Sequence, residues 1–310
     1  MKQNVKKQID DLELSLRNGK FSAERKPRIL YKYYSMDSDF TEKSILGEYL
    51  YAANPLDEND IYDSSPLLID LNKSPDIITM ITNQYSTYTE SSTSNATYRC
   101  LGNYIYSKWG IISLTINYRS KLMWSHYAKN DGLCIGFNVD RLNPIVGIEG
   151  PFQMIYRKEL QPIALNKHEV QLVPYIMCLQ KGDEWGYEKE WRYLVNIGDK
   201  EENRHFKYDR NAIRSIHFGY RFFDMSRRSN HTKYFYSDED SAHDTEKRTE
   251  SKADRKTKIL SYIMNNEIPI YIKKAMHLEN GVKDYYKLKI TEVNPANKYI
   301  MVEKWQKGKG

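Results

Sequence analysis

Trp185-Gly186-Tyr187-Glu188-Lys189-Glu190-Trp191-Arg192 sets two carboxylates and a guanidinium among three large aromatics, then runs into the apolar Tyr193-Leu194-Val195. An extended backbone alternates its side chains, so Glu188, Glu190 and Arg192 are expected on one face of a strand. Tyr187, Lys189 and Trp191 are expected on the other. Two acids beside a cation and tryptophan suggest a polar site. The plainer alternative is a surface strand whose charges pair across the sheet.

Outward from this stretch, short apolar runs predict strands near residues 29–34, 110–115, 132–137, 152–156, 192–197 and 213–218, with more at 269–273, 285–290 and 299–302. Helical spacing is expected at 38–51, 170–180 and 259–264, and after the cap-then-proline pairs Ser65-Pro66 and Ser74-Pro75. The fold class is therefore α+β, with mixed or antiparallel sheets of short strands and interleaved helices. Val5, Ile9, Leu12 and Leu16 predict an amphipathic N-terminal helix within residues 1–27. Residues 28–310 are expected to form a single α+β domain. Residues 86–97, rich in Ser and Thr, read as a loop, and the charged run 237–258 as an exposed insertion, either a linker or a polar helix without a core face.

The chain has 310 residues, with 47 basic and 41 acidic side chains giving a net charge of +6. That excess is too mild to establish nucleic-acid binding, which needs clustered Lys and Arg. Its 26 tyrosines exclude a wholly disordered chain. Cys100, Cys134 and Cys178 are widely spaced, which fits neither a disulfide framework nor a cysteine zinc site. No secretory leader or membrane-length apolar stretch is visible, so a cytoplasmic, reduced protein without membrane contact is expected. Phosphate-cradling glycine loops, His-Glu-x-x-His and Gly-x-Ser-x-Gly are absent from the sequence, and no metal ligand set is assigned.

A second informative cluster is Met123-Trp124-Ser125-His126-Tyr127-Ala128, followed by Gly132-Leu133-Cys134-Ile135-Gly136-Phe137. His126 reads either as a ligand-binding or proton-shuttling group or as a buried structural residue beside Trp124. Together with Ile112-Ser113-Leu114-Thr115, this run resembles the central signature of a widespread bacterial family known as domain of unknown function 2971. Leu30-Tyr31-Lys32-Tyr33 resembles its opening strand. Asn59, Asp60 and Asp63 resemble its Asn-Asp-Pro-Phe-Asp/Glu motif, although Ile61 replaces the proline and Glu58 replaces an aromatic. The Trp185–Arg192 stretch resembles its late motif, and Ile216-His217-Phe218-Gly219 a later strand. The resemblance implies a setting in phage defence or mobile elements, and a toxic activity there implies a cognate neutralising protein.

The order of Arg28, Ser113-Leu114-Thr115 and Glu188-Lys189-Glu190 also resembles ADP-ribosyltransferases, which implies a split-sheet core and NAD as the nucleotide bound. On that resemblance Glu190 stabilises positive charge developing on the ribose and Glu188 orients the acceptor. Tyr31, Tyr127 or Trp191 stacks on the base, and Arg192 or Lys32 meets the pyrophosphate. Tyr31, His126, Glu188, Glu190 and Arg192 are then expected to converge in one cleft, with Asn59, Asp60 and Ser113 contributing contacts. Three alternatives stand beside it. One is a nucleotide or nucleic-acid sensing module without turnover. Another is a nuclease with Asp60, Asp63, Glu188 and Glu190 around a divalent cation. The last is a fold-stabilising ion network built on Glu190 and Arg192.

Overall fold

The computed structural model describes residues 26–84, 94–142, 148–198, 204–229, 232–236, 251–273 and 285–305. The expected N-terminal helix lies outside these residues, as does the charged run up to residue 250. Residues 28–310 divide into two compact units, each assembled from separated stretches. The first takes residues 50–114 and 145–206, and the second takes 28–49, 115–144 and 207–310. Strands and interleaved helices make both units α+β.

In the first unit the strand Glu190–Asn196 lies between the strand that starts at Trp109 and the antiparallel strand Ile148–Gln153. Its side chains are buried from Glu190 to Val195. A fully enclosed strand of this kind has no solvated face on which charges can sit unpaired. A short parallel pair, Ile155–Arg157 with Gln180–Gly182, runs nearby. The helices Pro75–Gln84, Ser94–Lys108 and Val173–Cys178 supply Ile77, Ile81, Leu101, Ile105 and Ile176 to a core shared with Leu194. The helix from Ser94 enters the segment read as a loop, because Tyr98, Leu101 and Ile105 place an apolar stripe that its many polar neighbours conceal.

In the second unit the strand Leu133–Asn138 pairs antiparallel with both Ile29–Tyr34 and Ile213–Phe218. Ile213–Phe218 pairs parallel with Ile270–Lys273, and from there an antiparallel series continues through Tyr285–Asn294, Tyr299–Lys304, Lys233–Phe235 and Asp224–Ser229. Two glycines of the motif around Cys134 are needed sterically. A Cβ at Gly132 would stand 2.0 Å from the Tyr34 carbonyl oxygen, and one at Gly136 would stand 2.7 Å from both Ser215 Oγ and the Tyr31 ring.

The expected exposure of residues 251–258 is corrected by the helix Lys252–Asn265. It buries Lys252, Arg255 and Lys256 because each cationic head meets an acceptor while its stem lies in the core. Lys252 Nζ lies 2.7 Å from Asp37 and 2.8 Å from Asp131. Arg255 donates to the Met36 carbonyl and to Asp39. Lys256 donates to the Phe222 carbonyl at 3.2 Å.

Candidate functional site

The late motif does not form one continuous strand. Asp183–Glu188 is a 3₁₀ turn, Lys189 adopts the left-handed conformation at φ 46° and ψ 49°, and the strand begins at Glu190. The expected extended spacing of Glu188 is thereby corrected. The left-handed residue breaks the alternation, turns Lys189 outward and leaves Glu188 and Glu190 both buried.

Glu188, Glu190 and Arg192 come together inside the first unit with two residues from elsewhere in the chain, Asp63 and Lys181. Arg192 donates from Nε to Glu190 Oε1 at 2.7 Å, from Nη1 to Asp63 Oδ1 at 2.7 Å and from Nη2 to Asp63 Oδ2 at 2.5 Å. Its Nη1 also donates to the Cys178 carbonyl at 2.8 Å. Lys181 Nζ stands 2.8 Å from Glu188 Oε2, 3.4 Å from Asp63 Oδ2 and 3.5 Å from Glu190 Oε2. The two cations thus bridge three enclosed carboxylates. A fourth, Glu58, approaches Arg192 Nη2 at 3.5 Å and is the outermost, with 15% of its side chain exposed against 6% for Glu190 and 0% for Asp63.

Local structure explains the convergence. Asp63 closes a turn through its N–H to the Asp60 carbonyl at 3.0 Å, and Ser64 follows at positive φ. Lys181 sits on the short strand paired to Ile155–Arg157. The neighbouring Tyr156 hydroxyl accepts the Glu190 N–H at 2.9 Å and anchors the start of the late strand. Trp185 lies under Lys181, whose Nζ is 4.8 Å from the ring centroid, and Tyr187 stands 6.2 Å from Trp185. Both aromatics are only half-buried.

Burial would push the Asp63 and Glu190 carboxyls up, but the charges of Arg192 and Lys181 hold both below the usual carboxylate range. Glu58 goes the other way. Burial, aided by the neighbouring Asp63 and Glu190 charges and opposed by Arg192, lifts its carboxyl to about 7. Four carboxylates against two cations carry excess negative charge, and a proton on Glu58 relieves part of it.

The other expected site residues are placed differently. Arg192 is 0% exposed and its donors are taken by Asp63, Glu190 and Cys178, so it cannot also meet a pyrophosphate. Trp191 is 5% exposed and offers no face for a base to stack on. Asn59 is exposed, and Asp60 Oδ1 accepts the Tyr62 N–H at 3.1 Å as a turn cap. Ser113 is half-buried on the strand Trp109–Thr115. Tyr31, Lys32, His126 and Tyr127 belong to the second unit. There Tyr31 packs on Tyr118 at 4.8 Å and His217 at 5.9 Å. His126 is exposed on the helix Lys121–Ala128, which excludes its reading as a buried residue, whereas Trp124 is buried and donates Nε1–H to the Tyr118 carbonyl at 2.9 Å.

Lys181, Trp185 and Glu58 carry site geometry that the sequence reading did not assign to them. Lys181 has no local signal, since its neighbours Gln180 and Gly182 are unremarkable. The departure at Glu58, an acid where an aromatic is expected, was the usable clue.

Fold and site together define an α+β protein built around a buried centre of alternating carboxylates and cations. Residues 123–193 match the family model described as "Protein of unknown function (DUF2971)". The match takes in Lys181, Glu188, Glu190 and Arg192, whereas residues 30–33, 59–63 and 216–219 lie outside it. No curated protein and no solved structure matches the chain. Among the described residues no helix is long and apolar enough to cross a membrane.

Proposed function

We propose that the chain is an NAD-consuming enzyme of the ADP-ribosyltransferase-like kind, with Glu190 and Glu58 at its reaction centre. A phage-defence effector is the setting that the family resemblance suggests. The supporting observation is Glu58, a carboxyl lifted to about 7 at the outer edge of a network in which Asp63 and Glu190 are held below the usual carboxylate range. An acid poised near neutral pH can serve as either acid or base.

Two carboxylates in unlike environments suit cleavage of an N-glycosidic bond. The bond between ribose C1′ and the nicotinamide nitrogen breaks, and nicotinamide leaves with the electron pair. Both Glu190 oxygens are held by Arg192 and Lys181, so Glu190 acts without touching the sugar, as part of the network's excess negative charge that stabilises the positive charge left on the ribose. The acceptor oxygen or nitrogen bonds to C1′ and gives its proton to Glu58. Glu188, held by Lys181 at 2.8 Å, positions that lysine rather than the acceptor. Trp185 and Tyr187, half-buried beside the network, supply ring faces for nicotinamide or adenine.

The nuclease alternative is less well supported, because Lys181 and Arg192 occupy the inner faces of the carboxylates that a cation would need. Among the described residues no group of His, Cys, Asp and Glu has the arrangement of a metal site. The test is nicotinamide release and label transfer from NAD to cell extract by the full chain. Wild type is expected to turn over NAD, and Glu190→Gln to lose at least about 100-fold. NAD-dependent thermal stabilisation without nicotinamide release would point instead to a sensing module. Wild type that shows no stabilisation by NAD and no nicotinamide release would overturn the proposal.

A further inference from the structure

The second unit contains a cleft of about 520 Å³ whose lining residues all belong to that unit. It is lined by Arg210, Arg214 and Lys287, by one carboxylate, Glu267, and by Trp305. The volume falls in the usual range for small-ligand clefts. Glu267 is engaged by Lys289 at 2.7 Å, which leaves the cationic lining dominant. Arg210 is fixed from behind, its Nε 2.7 Å from Glu48 and its Nη1 donating to Asn266. Arg214 is exposed on the strand Ile213–Phe218 and forms no ion pair among the described residues. Lys287 Nζ stands 4.9 Å from the centroid of the Trp305 ring, and the indole is only partly buried.

Three cations that line one cleft with a partly exposed indole suit one chemistry. Arg214 and Lys287 meet phosphate oxygens while the indole offers a ring face to a base. We infer that this cleft binds the phosphate-and-base unit of a nucleotide, either free or as part of a single-stranded nucleic acid. An acidic peptide would satisfy the cations but leave Trp305 without a stacking partner, so it is the competing occupant the test must separate.

The experiment titrates the full chain with a labelled short single-stranded oligonucleotide, with AMP and ATP, and with polyglutamate, at two salt concentrations, reading anisotropy and tryptophan fluorescence. Arg214→Ala and Trp305→Ala are compared with wild type. Both side chains are at least partly exposed, and thermal melts check that the variants fold. Binding of oligonucleotide or of free nucleotide is expected, weakened about tenfold in each variant, with a shallower salt dependence in Arg214→Ala. Preference between the two ligands tells the source of the phosphate. Binding that both variants leave unchanged, equal affinity for polyglutamate, or no binding by wild type would each overturn the assignment. The titration with Arg214→Ala and Trp305→Ala reads this cleft, whereas nicotinamide release reads the first unit, so failure here and failure of the NAD reading are separable.

Discussion

Arg192 grips Asp63 through two parallel N–H···O bonds, Nη1 to Oδ1 at 2.7 Å and Nη2 to Oδ2 at 2.5 Å, across 129 positions of sequence. Both side chains are 0% exposed. A fork-on-fork pair in that environment fixes geometry, and it leaves a large uncompensated charge when one partner is removed. Arg192→Met is therefore expected to cost roughly 3–5 kcal/mol, read by urea unfolding of the full chain. Combining it with Asp63→Leu should recover part of that loss. A double variant no more stable than Arg192→Met would show that the pair is not the coupled unit described.

Opposite pKa shifts within one network give stability a two-sided pH dependence. Glu58 is lifted to about 7 from an ordinary value of 4.5, so the folded chain binds its proton at higher pH than the unfolded chain does. That contribution is complete below pH 4.5 and is lost as pH rises through 7. Asp63 and Glu190 are held below their ordinary values, so their contribution is present above about pH 4–5 and is lost on further acidification. Chemical denaturation between pH 3 and 8 should show both limbs. Glu58→Gln should flatten only the upper one.

His217 is sandwiched between Tyr118 at 4.4 Å and Tyr271 at 4.7 Å, with Ser215 Oγ 3.2 Å from its Nε2. Burial first, and the Arg119 charge second, depress its pKa to about 3. The ring is thus neutral at physiological pH, and the folded state loses stability relative to the unfolded one as pH falls below about 6.5. NMR of the ring protons should show no titration between pH 5 and 8. A midpoint near 6.5 would mean that the stack is open to water.

Lys189 provides a local test of why Glu188 and Glu190 share the network. Its left-handed backbone suits glycine and disfavours a β-branched residue. Lys189→Gly should leave the melting temperature unchanged or raise it slightly, whereas Lys189→Val should cost about 1–2 kcal/mol. Equal effects of the two would remove the turn from the explanation.

Much of the strand framework was legible because short, nearly continuous apolar runs beside a glycine leave little choice. Leu133–Asn138, Ile213–Phe218 and the strand from Trp109 are examples. Glu190 and Arg192 share a strand face as alternation suggests, whereas Glu188 joins them through the turn at Lys189. The rest depended on information that local pattern does not hold. Glu48 at φ 53° and Gly47 end the helix Asp39–Leu46 early, where spacing alone suggested that it continued to residue 51. Buried Lys252, Arg255 and Lys256 look like solvated charge until their distant acceptors are known. Lys181 joins the network only through a parallel pairing that sequence does not announce. The tryptophan with an accessible ring face here is Trp185 rather than Trp191, because the turn at 183–188 leaves Trp185 half-buried while the strand encloses Trp191.

The pH profile of nicotinamide release from NAD, compared between wild type and Glu58→Gln, tests the central claim most directly. Wild-type release should rise with an apparent midpoint near 7 as Glu58 becomes able to accept a proton. Glu58→Gln should lose that inflection and most of the rate, while its melting temperature at pH 7 stays near or above that of wild type. A wild-type profile flat across pH 7, or a Glu58→Gln variant with the same rate and the same inflection, would contradict it.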